Sequence, residues 1–200
     1  MKPSEIYNAI RAYKNCESDM CSLKATCVNF GGCTSKSSTK VIDFDEVKNE
    51  YCSVNSINPL WKSVDGVCAT RSDSLFLFIE KKSWTKFFKY QEHSEKRIVE
   101  QANDFCLNEK YSKSVEICRN VVGQQKIFTE DNHAFLFYSD INPNISPLIA
   151  FQYNLNMLAN TSTAIQMFAV NASKRQIESV TCKKRFFVFC NDFDNYINLK

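Results

Sequence analysis

The sequence predicts an α/β fold, a mixed central β-sheet flanked by helices. Three observations carry that prediction. Short apolar runs of strand length, LFLFI (75–79), HAFLFYS (133–139) and KRFFVFC (184–190), are bounded by polar turns. Amphipathic segments with apolar residues every three or four positions lie between them. Gly and Pro number only four each in 200 residues, too few for a turn-rich all-β chain or a disordered one.

Taken in order, Ser4 to Lys14 reads as a first helix, with Ile6, Ile10 and Tyr13 on one face. A polar, Cys-bearing stretch follows, ending in a Ser/Thr/Lys loop at Thr34–Lys40. Phe44, Val47 and Tyr51 then recur at helical spacing, and Asn58-Pro59 ends that segment. SVDGVCAT (63–70) and LFLFIEKKS (75–83) read as two strands joined by the hairpin-length connector RSDS. The second is apolar on both faces up to Glu80, the mark of a central strand covered on both sides. A helix from about His93 carries Ile98, Ala102, Phe105 and Cys106 on one stripe. SKSVEICRNVV (112–122) reads as the next, capped by Ser112 or Ser114 and stopped by Gly123. The strand at 133–139 is followed by a buried helix at 146–159 opened by Ser146-Pro147, a helix at 172–180 and a last strand. The length suits one domain, divided into an N-terminal helix with a Cys-bearing extension (1–43), a core (44–140), and C-terminal helices with a strand (141–200).

A net charge of +3 permits contact with a polyanion without the basic stripe of a dedicated nucleic-acid binder. The N-terminal segment lacks the apolar core of a signal peptide, and no run approaches the ~20 apolar residues of a membrane span. The expectation is a soluble protein of the cytoplasm. Ten Cys are many for that compartment. Cys68, Cys106, Cys118 and Cys190 fall in phase with apolar neighbours and read as small reduced hydrophobes. The sequons at Asn144, Asn160 and Asn171 follow from an Asn- and Ser-rich composition.

The chemistry concentrates where LFLFI runs into Glu80-Lys81-Lys82. Strand alternation puts Glu80 and Lys82 on one face and Lys81 on the other. Asp65 begins the preceding strand, so an antiparallel hairpin sets it beside Glu80 and Lys82. Two converging carboxylates suit Mg²⁺ or Mn²⁺, and the ammonium can hold a water or steady phosphate charge.

This arrangement resembles the PD-(D/E)XK nuclease superfamily, with its restriction-endonuclease-like core: an Asp on one hairpin strand, Glu-x-Lys on the next, then a helix and a further strand. Asp65, Glu80 and Lys82 match those positions over roughly residues 44–140, with Val64 standing where many members have Pro. The resemblance implies metal-dependent phosphodiester hydrolysis of nucleic acid, with DNA the expected substrate. Asp65 and Glu80 would be metal ligands, Glu50 (or Glu46) an added ligand from the preceding helix, and Lys82 the catalytic cation. Lys62, Lys81 and Lys86 would be contacts to the nucleic acid. The triplet alone is weak, since Glu46-Val47-Lys48 also matches it on a predicted helix. The alternative is a non-catalytic binding or scaffolding module that keeps the fold.

Other candidates read more blandly. Cys16, Cys21, Cys27 and Cys33 lack the paired knuckle of a zinc site and read as scattered thiols. His93 and His133 are expected at the surface, Asp140 in a turn, and Lys183-Lys184-Arg185 as a solvated flank to an apolar strand.

Overall fold

The computed structural model describes residues 1–23, 37–90, 94–144 and 161–198. Its centre is a six-stranded sheet in sequential order, β1 (Glu17–Asp19), β2 (Lys40–Asp43), β3 (Gly66–Ala69), β4 (Phe76–Lys82), β5 (His133–Ser139) and β6 (Arg185–Phe189). The first four strands run antiparallel to their neighbours, whereas β4–β5 and β5–β6 pair in parallel. The expected α/β class with a mixed sheet is the one observed. The helices are α1 (Pro3–Tyr13), α2 (Phe44–Val54), α3 (Trp84–Tyr90), α4 (Glu95–Asn103), α5 (Leu107–Val122), α6 (Thr161–Glu178) and α7 (Phe193–Ile197).

Side chains alternate across the pleat, and the two faces bury separate cores. Val67, Phe76, Phe78, Phe135 and Phe137 pack with Ile6 and Ile10 of α1, Phe44 and Val47 of α2, Ile98 of α4 and Tyr111 and Cys118 of α5. Cys68, Leu77, Ile79, Ala134, Leu136 and Val188 face the other way, against Met20, Leu23 and the Phe193 and Ile197 of α7. Leu75 through Ile79 are all buried, as a strand covered on both sides requires. The hairpin turn is tied by Thr70, whose Oγ1 accepts from the amides of Ser74 (3.2 Å) and Leu75 (3.1 Å).

Several boundaries differ from expectation. β1 and β2 are three and four residues long, too short for a legible period; β1 is polar, and β2 holds only the apolar pair Val41 and Ile42. α3 was not anticipated. Ser83 caps it, accepting from Lys86 N at 3.1 Å, and Asp140 accepts from Trp84 N at 2.8 Å and Ser83 Oγ at 2.6 Å. Asp140 is thus a buried cross-link between the ends of β4 and β5 rather than a turn residue. Cys106 adopts a left-handed conformation (φ 52°, ψ 41°), ending the preceding turn and letting α5 start at Leu107. Ser112 and Ser114 therefore lie inside α5 and cap nothing, and half-buried Cys106 is less enclosed than Cys68, Cys118 and Cys190. Gly123 does close α5, in the left-handed conformation at φ 74° that glycine tolerates best. His133, expected at the surface, is buried, bonded to the Tyr111 hydroxyl (2.7 Å) and the Thr129 carbonyl (2.6 Å). The helix expected at 146–159, His93, Asn160, Cys27 and Cys33 lie outside the described residues. Among the described residues no helix is long and apolar enough to cross a membrane.

Candidate active site

The hairpin register decides whether the motif residues meet. Gly66 pairs with Ile79 and Val67 with Phe78, which carries Asp65 to the position across from Glu80. The Asp65 amide donates to Ile79 O (3.0 Å), and its Oδ2 accepts from the amide of Lys81 (2.7 Å). The Asp65 carbonyl accepts from Phe44 N (3.0 Å), tying the start of α2 to the same point. Val67 and Phe78, directly paired, share the helix-covered face, so Asp65 and Glu80 share it too. Both are fully buried.

Lys82, two residues on in the same strand phase, places Nζ 2.6 Å from Glu80 Oε1. A second cation, absent from the sequence motif, reaches the same oxygen: Lys110 Nζ of α5 lies 2.5 Å from Glu80 Oε1. Glu80 Oε2 is buried and has no hydrogen-bond partner among the described residues. Burial and the Asp65 carboxylate push the Glu80 carboxyl above its ordinary range, more than Lys82 and Lys110 pull it down. Desolvation disfavours the charged form of Glu80, and a facing carboxylate adds to that effect.

Lys110 is held over Glu80 by Ser114. The Ser114 hydroxyl donates back to Lys110 O (2.8 Å) and accepts from the amide of Val64 (3.0 Å), fastening α5 to the hairpin entry. Reading a helix from Leu107 onward would have exposed Lys110, one turn from Ser114 and in the stripe with Leu107, Tyr111 and Cys118, as a cation inside an apolar face.

The remaining candidates separate. Lys81 faces the opposite side, as the strand phase requires, but not toward solvent or phosphate. It is 4% exposed, and its ammonium donates to the carbonyls of Met20 (3.4 Å), Cys21 (3.2 Å) and Leu23 (2.7 Å). That corrects the expectation of a nucleic-acid contact: Lys81 pins the turn after β1 to the sheet. Glu50 pairs with Lys14 at 3.1 Å, and Glu46 is exposed. The acid that α2 sends to the hairpin is Asp45, which accepts from Ser63 Oγ (2.8 Å) and Lys48 (3.0 Å) two residues before Asp65. Lys62 is exposed and paired with Glu109 at 3.0 Å, and Lys86 is exposed on α3. Lys183 pairs with Glu130 at 2.8 Å, Lys184 donates to Asp131 O (2.6 Å), and Arg185 holds the carbonyls of Glu178 and Val180.

Among the described residues no three His, Cys, Asp or Glu side chains converge as a ready-made metal cage. A hard divalent cation needs fewer, because Mg²⁺ is commonly held by one or two carboxylates with water and phosphate oxygens completing its shell. Asp65, Glu80 and the unpartnered Glu80 Oε2 fit that donor set. The chain matches no family model, no curated protein and no solved structure.

Proposed function

We propose that the chain is a divalent-metal-dependent nuclease of the PD-(D/E)XK type, cleaving phosphodiester bonds at the Asp65–Glu80–Lys82 corner. The observation that carries this reading is the pairing of Asp65 and Glu80 across the β3–β4 hairpin on one face, with Lys82 in phase and bonded to Glu80. Asp65 and Glu80 would hold the ion, Glu80 through the oxygen that otherwise lacks a partner. When bound, Mg²⁺ or Mn²⁺ supplies Lewis-acid polarisation of a phosphoryl oxygen and acidifies a bound water. Lys82 holds its ammonium beside Glu80, where it can orient a water and steady charge on the scissile phosphate. Lys110 serves as the internal counter-ion of Glu80 on Oε1, which leaves Oε2 for a cation.

A second reading rests on the closure of the same corner. Two carboxylates face two ammonium groups, and Glu80 has no exposed surface. Such a quartet is also what a binding module keeping this fold would retain as a structural charge cluster.

The test is a cleavage assay on single- and double-stranded DNA and RNA with Mg²⁺ or Mn²⁺. The nuclease reading expects metal-dependent cutting, abolished by Asp65→Ala and lowered ~10²–10³-fold by Lys82→Ala, the scale for losing one transition-state donor. Cutting that survives Asp65→Ala would overturn it.

A further inference from the structure

At the far end of the sheet, α5 and the segments before β5 and β6 line a cavity of about 240 Å³. His133, at its wall, pairs in register with Phe76, four residues before Glu80. At about 3.3 Å per residue that is roughly 13 Å along the strands from the carboxylate corner.

The wall of this cavity carries a guanidinium without a counter-ion. Arg119 makes no side-chain hydrogen bond or ion pair with the described residues, and its Nε is buried without a partner. Arginine carries its charge at all accessible pH, and a buried, unpartnered charged donor is a costly arrangement. Lys183, 60% exposed, and the side chains of Thr129 and Thr181 also line the space. One carboxylate is present, Glu130, which pairs with Lys183 at 2.8 Å and is 76% exposed. It neutralises Lys183 at the rim and leaves Arg119 uncompensated.

His133 cannot supply the missing negative charge. The Thr129 carbonyl can only accept, so Nδ1 carries the hydrogen of that 2.6 Å bond, and Nε2 takes the Tyr111 hydroxyl. Burial, with Arg119 and Lys184 nearby, holds the imidazole below its usual pKa and so neutral. The cavity therefore has a cationic wall, hydroxyl-bearing residues and an aromatic wall, with room for a tetrahedral oxyanion and a small substituent.

We infer that this cavity binds a phosphate group, as inorganic phosphate or as a phosphate monoester, with Arg119 as its principal ligand and Lys183, Thr129 and Thr181 around it. A guanidinium presents paired N–H donors that match phosphate oxygens, and the terminal nitrogens of Arg119, unlike its buried Nε, are the donors a ligand in the cavity can reach. The inference is independent of the nuclease reading, because it uses none of that corner's residues.

The experiment follows the Arg119 Nε–Hε resonance by NMR while inorganic phosphate, a nucleoside 5′-monophosphate, the same nucleoside without phosphate, and chloride at matched ionic strength are titrated into the full chain. Saturable shifts with phosphate or the monophosphate, and none with the nucleoside or chloride, are expected. Saturation by inorganic phosphate alone identifies the free ion as the ligand, and much tighter binding of the monophosphate identifies an ester. Binding followed by calorimetry should weaken about 10- to 100-fold in Arg119→Gln, the scale for hydrogen bonds to a charged group. The exposed Lys183→Gln variant, which leaves the core intact, should weaken it by a smaller factor. Shifts that chloride reproduces, no saturation by phosphate, or unchanged affinity in folded Arg119→Gln or Lys183→Gln would each overturn the assignment.

Discussion

Replacing Lys110 with Met isolates the second cation on Glu80. Met keeps much of the lysine's apolar stem and removes the ammonium, whose Nζ lies 2.5 Å from Glu80 Oε1. Glu80 stays buried and retains Lys82 at 2.6 Å. The cost is then that of one hydrogen bond to a charged group, about 2 kcal/mol, rather than the ~3–5 kcal/mol of stripping a buried ion of its only partner. For a chain of this length about 2 kcal/mol lowers Tm by roughly 4–8 °C. The sign of the pH dependence follows from the raised Glu80 pKa. The folded chain binds this proton more readily than the unfolded chain. The group's contribution to stability is therefore fully present below the ordinary Glu pKa of about 4.3 and is lost as pH rises through the higher folded value. Removing Lys110 takes away a cation that favours ionised Glu80, so the loss on raising the pH should be steeper in the variant. Thermal melts of both proteins at neutral pH and near pH ~4.3 provide the assay. The variant should melt well below the parent at neutral pH and close to it in acid. A variant that matches the parent at neutral pH, or whose deficit is the same at both, refutes the reasoning.

Four further substitutions test the frame around the site. Phe76→Asp and Leu77→Asp bury an unpaired charge in opposite cores of the sheet, so each should prevent accumulation of folded protein, read by circular dichroism and soluble yield. A folded variant at either position would mean that its face is open. Lys81→Ala removes a donor shared by three carbonyls of the turn after β1 and should lower Tm by several degrees, whereas Lys62→Ala, at an exposed pair, should leave it nearly unchanged. Equal melting of those two variants would contradict the placement of Lys81.

The hairpin was legible because its signals are local. LFLFI has no polar position, which only a strand covered on both faces tolerates, and period two then fixed Glu80 and Lys82 to one side and Lys81 to the other. Asp65 followed from antiparallel pairing alone. Other parts depend on partners distant in sequence. Three-residue β1 becomes a strand by pairing with Lys40–Ile42, and α3 owes its start to Asp140, more than fifty residues away. Lys110 was hidden by one left-handed residue, Cys106, which moved the start of α5 forward by five positions. Glu50 lies on the expected helix, but its partner is Lys14, and the acid of α2 that accepts from the hairpin entry, through Ser63 Oγ, is Asp45.

The measurement that reaches the central claim most directly is Mn²⁺ binding followed by electron paramagnetic resonance, on the parent chain and on Asp65→Asn, Glu80→Gln and Lys110→Met. If Asp65 and Glu80 form a cation site whose affinity the neighbouring Lys110 ammonium opposes, the parent binds Mn²⁺ saturably. The two carboxamide variants then lose that binding, and Lys110→Met binds more tightly than the parent. Binding that persists in both carboxamide variants, or a parent that binds none, would contradict the account and leave the corner a structural charge cluster.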